Sequence, residues 1–169
     1  MTHSNALLLS LALLLCPAFA PAQSTSNEQA ALANAPSAKH SLWLNAGFYS
    51  LHFDSNQGLR NPNPGLGLEW RLDEHWSATA GRFMNSDSAH SNYLGAYYQP
   101  WTFAGGKWGV VMGAFNGYPK AFNGGWFPAV LPVATWEGER LGLNVALVPQ
   151  LQDRLYRALS LQLKVKLGD

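Results

Sequence analysis

The stretch Leu159-Ser-Leu-Gln-Leu-Lys-Val-Lys-Leu167 alternates apolar and polar residues without a slip over nine positions. A strand turns successive side chains to opposite faces, so this segment has one apolar face and one polar face. Such a strand lies against either a soluble core or lipid, and the rest of the chain decides which. From Ser41 onward the same period of two recurs in short runs punctuated by Gly, Pro, Asn and Asp, with no helical repeat of useful length. Eight runs are legible, at about 42–53, 65–72, 76–86, 92–99, 107–115, 127–136, 140–148 and 156–167. In the second, Leu66, Leu68, Trp70 and Leu72 share one face, opposite Gly67, Glu69 and Arg71. The pattern predicts an all-β chain of eight antiparallel strands.

Residues 1–22 read as a secretory signal peptide. The apolar run Asn5–Cys16 is shorter than the ~20 residues a spanning helix needs, and small residues, Ala18-Phe-Ala20-Pro-Ala22, offer cleavage before Gln23. Cleavage there removes Cys16, the only cysteine, and with it any disulfide or thiol chemistry. Residues 23–40, small, polar and Ala-rich, are expected to form a flexible arm or short amphipathic helix, and residues 41–169 a single domain. Only 12% of the chain is Asp, Glu, Lys or Arg, about half the usual share in soluble domains. The net charge is +1 and no Lys/Arg cluster exists, which argues against a nucleic-acid partner.

Two architectures accommodate eight such strands. A soluble barrel or lipocalin-like carrier turns its large apolar residues inward. A membrane barrel turns them to lipid, rings its ends with aromatics and fills its lumen with small and polar residues. The signal peptide, the low charge, Trp43, Trp70, Trp76, Trp101, Trp108 and Trp136 near run ends, and alternating link lengths all favour the second. Closure also leaves no unpaired strand edge in lipid. The expectation is therefore an eight-stranded transmembrane β-barrel of the outer membrane. In the eighth run the leucines and Val165 should face lipid, and Lys164 and Lys166 should lie where water reaches the inner end of the lumen.

With a periplasmic N-terminus, the odd-numbered strands run outward. His52 ends the first run and Asn85-Ser86 the third, so a His and a Ser distant in sequence reach one rim. Imidazole beside hydroxyl suits acyl transfer, where a ring nitrogen takes a hydroxyl proton. The plainer alternative is a set of solvated loop residues, which also fits His75 and His90. No metal or other cofactor is called for.

The block Asn63–Tyr98, "NPGLGLEWRLDEHWSATAGRFMNSDSAHSNYLGAYY", resembles the outer-membrane lipid A palmitoyltransferase family (PagP-like). So do "GFYSLHF" and "WFPAVLPVATWEGERLGLNVALVP", and the likeness spans roughly residues 41–167 at low identity. The resemblance implies a monomeric enzyme moving an acyl chain from a phospholipid donor to lipid A. The family's rim His falls on His52 and its Ser on Ser86; its Asp falls on Asn85, a departure. Asn can orient an imidazole but cannot hold charge beside it. Either His52 acts without a carboxylate, or Asp87 or Asp54 substitutes, or the protein is inactive. The implied roles are His52 as general base, Ser86 as acceptor-positioning or nucleophilic hydroxyl, and Asn85 as an orienting or oxyanion-binding amide.

In this family, strand prolines open lateral gaps for acyl chains, a role that would fall on Pro128, Pro132 and Pro149. The small residue flooring its acyl pocket falls on Tyr97, implying a chain shorter than palmitate. Unbroken alternation would put Leu42, Leu44, Ala46 and Phe48 on one greasy face with Ser50 and His52. The alternative function is a non-catalytic outer-membrane barrel that binds or scaffolds lipid.

Overall fold

The computed structural model describes residues 40–54, 56, 58–150 and 156–168; the expected signal peptide and nearly all of the arm lie outside them. The strands are β1 (Ser41–His52), β2 (Pro62–Arg71), β3 (Trp76–Met84), β4 (His90–Phe103), β5 (Gly106–Phe115), β6 (Phe127–Glu137), β7 (Leu141–Val148) and β8 (Ala158–Gly168). Each pairs antiparallel with the next, and β1 pairs with β8, so the sheet closes on itself. Closure pairs each strand with two neighbours, the condition for burying backbone in a membrane, with one partial exception along the β6–β7 seam.

The facing of side chains settles what surrounds the barrel. In β8, Ser160, Gln162 and Lys164 are buried while Leu163, Val165 and Leu167 are exposed. Lys164 is 1% exposed and Leu163 66%. Leu66, Leu94, Val130 and Leu141 point outward in the same way, each more than 60% exposed. An apolar exterior around a polar interior inverts the soluble barrel, and this is a membrane-spanning one. One expectation fails here. Lys164 is not reached by water but is sealed in the lumen, because two carboxylates meet it there.

Short turns (72–75, 104–105 and 138–140) close one end, and longer links the other (53–61, 85–89, 116–126 and 149–157). At the short-turn end, Asp73 accepts the backbone N–H groups of His75 and Trp76, each at 2.8 Å. Ala104 and Gly105 both take positive φ, the geometry of a two-residue hairpin turn. β4 therefore runs on through Pro100 to Phe103, beyond the expected 92–99. Pro100 is tolerated because it falls in the register shift between Tyr98 and Trp101, where its missing N–H breaks no ladder bond.

Two irregularities matter for the site. β1 shifts register against β2 between Ala46 and Phe48 and against β8 between Asn45 and Phe48. Trp43 and Asn45 point inward before the shift, and Phe48, Ser50 and His52 after it. The greasy face expected along β1 is thereby split: Leu42 and Ala46 face outward, and only Phe48 joins Ser50 and His52. The cause is Gly47, where a Cβ would run into the backbone of Asn63, Pro64 and Gly65. Secondly, β6 and β7 pair only from Val133↔Ala146 to Glu137↔Gly142. Toward the long links, the Phe127–Pro132 stretch of β6 pairs with β5 alone. Pro128 and Pro132 have no N–H to offer across that seam.

Candidate functional site

The lumen has two storeys. Near the short turns it is polar. Lys164 Nζ donates to Glu69 at 2.6 Å and to Glu137 at 2.7 Å, Arg71 pairs with Glu137, and Lys164 lies 4.8 Å from the Trp43 ring centroid. Above this quartet Asn144 gathers Glu69, Tyr97, Gln162 and Thr135 into one hydrogen-bonded layer.

Toward the long links the lumen turns apolar. Phe48 packs edge-on against Phe83 at 4.8 Å and Tyr93 at 5.8 Å, and Tyr93 stacks with Phe115 at 6.1 Å. These rings, with Phe127, Leu131, Val133 and Val148, line a cavity of about 100 Å³. Tyr97 stands at its floor, its hydroxyl 3.3 Å from Asn144. Ligand pockets for drug-sized molecules begin near ~300 Å³, so a long hydrocarbon enters only if some of these rings swing aside.

A second cavity, of about 50 Å³, lies at the rim, lined by His52, Ser86, Asp87, Tyr118 and Tyr156 among others. Ser50, Tyr118 and Val148 line both spaces, so the polar mouth adjoins the apolar chamber. His52 and Ser86, the two candidates carried by strand parity, are thus brought together. Asn63 ties Ser86 to the wall, its Nδ2 donating to Ser50 Oγ at 2.8 Å and reaching Ser86 Oγ at 3.4 Å. Burial holds the Tyr118 hydroxyl well above the usual phenol range, with the charge of Asp87 adding to it, so this phenol stays neutral.

Asn85 belongs elsewhere. It is fully buried, and its amide is spent on the β3–β4 turn. Nδ2 donates to Ser91 Oγ at 2.9 Å and to Gly117 O at 2.8 Å, while Oδ1 accepts from the N–H groups of Asp87 and Ala89. With both protons committed, it has none for an oxyanion. Of the proposed carboxylate substitutes, Asp87 lines the rim cavity with His52 and Asp54 does not.

The partner of His52 is a residue the sequence did not single out. Asn61 Oδ1 lies 3.0 Å from His52 Nδ1. Its own carbonyl accepts from Ser50 N–H at 2.9 Å, which fixes the amide beside the ring. An acceptor at Nδ1 puts the proton there and leaves Nε2 as the basic nitrogen. The signal was present in Asn61-Pro62-Asn63-Pro64: strand parity turns both amides to the lumen and both prolines outward.

No protein-family model and no curated protein matches this chain. Its fold does have a counterpart. The solution NMR structure of the de novo designed protein TMB2.3 is similar with a TM-score of 0.56, covering 80% of this chain and all of the designed one at 13% identity. Likeness at that identity concerns the barrel and not its contents, so what the site does rests on its own geometry.

Proposed function

We propose that this protein is an outer-membrane acyltransferase that moves a fatty acyl chain from a glycerophospholipid to lipid A. The observation that carries the proposal is the junction of the two cavities. An apolar chamber able to take hydrocarbon meets a polar mouth holding an imidazole and a hydroxyl at Ser50, Tyr118 and Val148. The stretch of β6 without a β7 partner at the long-link end adds a side entrance for a chain arriving from the membrane.

In this reading His52 Nε2 takes the proton of an acceptor hydroxyl as that oxygen bonds to the donor's ester carbonyl. The carbonyl's bond to the glycerol oxygen then breaks, and the proton passes from the imidazolium to the departing oxygen. Ser86, held by Asn63, positions the acceptor or serves as an intermediate acyl carrier. The Tyr97 floor and the small chamber favour a chain shorter than palmitate.

The test is mass spectrometry of lipid A from cells expressing the protein. Wild type adds one acyl mass increment and His52→Ala adds none. An increment that persists in the variant removes His52 from the mechanism. A second reading, a lipid-binding barrel without catalysis, draws on the commitment of Asn85 to its turn and on an amide, not a carboxylate, beside His52. It is favoured if wild-type and non-expressing cells give the same lipid A.

A further inference from the structure

The outer surface differs around its long-link end. On β6, β7 and β1 the lipid-facing residues there are apolar: Val130, Leu147 and Leu51. On β3, Arg82 faces outward and exposed, opposite Leu66 of β2 and Asn92 of β4. It has no hydrogen-bonding or charged partner among the described residues. Two residues on, Met84 faces the same way. Arg60 reaches it from the β1–β2 link, with Nη1 2.7 Å from Met84 Sδ and Nε donating to Pro62 O at 2.8 Å. A two-residue step along a strand is about 7 Å, so the two guanidiniums share one patch. His90 stands opposite Met84 on β4.

An arginine on the lipid face is costly at the bilayer midplane and nearly free at the headgroups. Arg82 therefore marks where hydrocarbon ends on this side of the barrel, and Arg60 lies just beyond it. Headgroup depth supplies phosphate, which a guanidinium holds through paired N–H donors. Holding Arg60 by Nε and Nη1 leaves Nη2 for a ligand. We propose that Arg60 and Arg82, with His90 and Asn92 beside them, bind the phosphate of an anionic membrane lipid in the long-link leaflet. The site lies on the outside of the barrel and does not depend on acyl transfer.

The test uses the protein purified from membranes and reconstituted in phosphatidylcholine nanodiscs containing a minor fraction of phosphatidylglycerol. Native mass spectrometry after release counts the lipids retained. Phosphatidylglycerol is expected to be enriched on the wild type. Arg60→Gln and Arg82→Gln should each lower the enrichment roughly fivefold, as expected for one basic residue near a charged surface, and the double variant should abolish it. Arg157→Gln, beside the end of β1 and three strands from Arg82, should leave it unchanged. Heat-modifiable gel mobility reports folding, and if Arg82→Gln does not fold, Arg60→Gln in the link carries the test. Enrichment that survives Arg60→Gln, or that falls equally with Arg157→Gln, overturns the site. Competition by millimolar inorganic phosphate would make it a free-anion site and overturn the lipid assignment.

Discussion

At the scale of single residues, the contact that matters most is the 3.0 Å approach of Asn61 Oδ1 to His52 Nδ1. An amide oxygen fixes the tautomer and the ring's angle without contributing charge. Asn61→Asp keeps an acceptor in place and should retain most of the proposed acyl transfer. Under the proposed function, Asn61→Leu frees the ring and should lower acyl transfer about a hundredfold, the usual cost of misplacing a reacting group. Nitrogen-15 spectra of the labelled protein in micelles supply a readout apart from turnover. Neutral His52 should be protonated at Nδ1 in the wild type and lose that preference in Asn61→Leu; an Nε2–H tautomer in the wild type would sink the assignment. That His52 and Ser86 share one rim was legible in the sequence, because strand parity and link order alone bring them there. Asn85 was not, since its role depends on the turn around Ser88 at φ 64°, which aims the amide at Ser91 and Gly117. No periodicity encodes that.

At the scale of elements, the β2–β3 turn shows how little a short link needs. Asp73 closes it through the N–H groups of His75 and Trp76, and those bonds hold its carboxyl below the usual range. A lowered folded pKa gives stability that is complete above the unfolded value of roughly 3.9 and is lost as pH falls through the folded one. Urea unfolding of the barrel in micelles should therefore show Asp73→Ala weakened at pH 7. The gap to wild type should close as the pH is taken below 4, and a gap independent of pH would mean the charge is idle. The eight strands themselves were legible because lipid outside and polar lumen inside enforce alternation. The bulge at Gly47 was not. Leu42, Leu44, Ala46 and Phe48 keep period two as written, and only crowding by the backbone of β2 shows that the chain slips a residue. The length of β4 was hidden for a related reason, since a register shift absorbs Pro100.

For the whole molecule, the quartet of Glu69, Arg71, Glu137 and Lys164 joins strands far apart in the chain around one buried point. Two acids balance two bases, so the cluster is neutral as a set and charged once any member leaves. Lys164 is the better satisfied cation, since Arg71 Nε and Nη1 have no protein partner. Lys164→Met strands a carboxylate and should cost about 3–5 kcal/mol in urea unfolding, the range for breaking a buried pair. Adding Glu69→Gln restores neutrality through Arg71 and Glu137 and should recover much of the loss. A double variant no more stable than the single would show that packing around Trp43, and not charge balance, sets the cost. Parity showed that Glu69, Arg71 and Lys164 face inward. Their meeting depends on β2, β6 and β8 being brought round by closure, which no local pattern records. The same filling has an electrical meaning. Lys164, Gln162, Glu69, Asn45, Thr135 and Ser77 are all less than 2% exposed, so no column of water joins the two ends of the lumen. Placed across a voltage in a planar bilayer, this barrel should act as an insulator and pass no steady current.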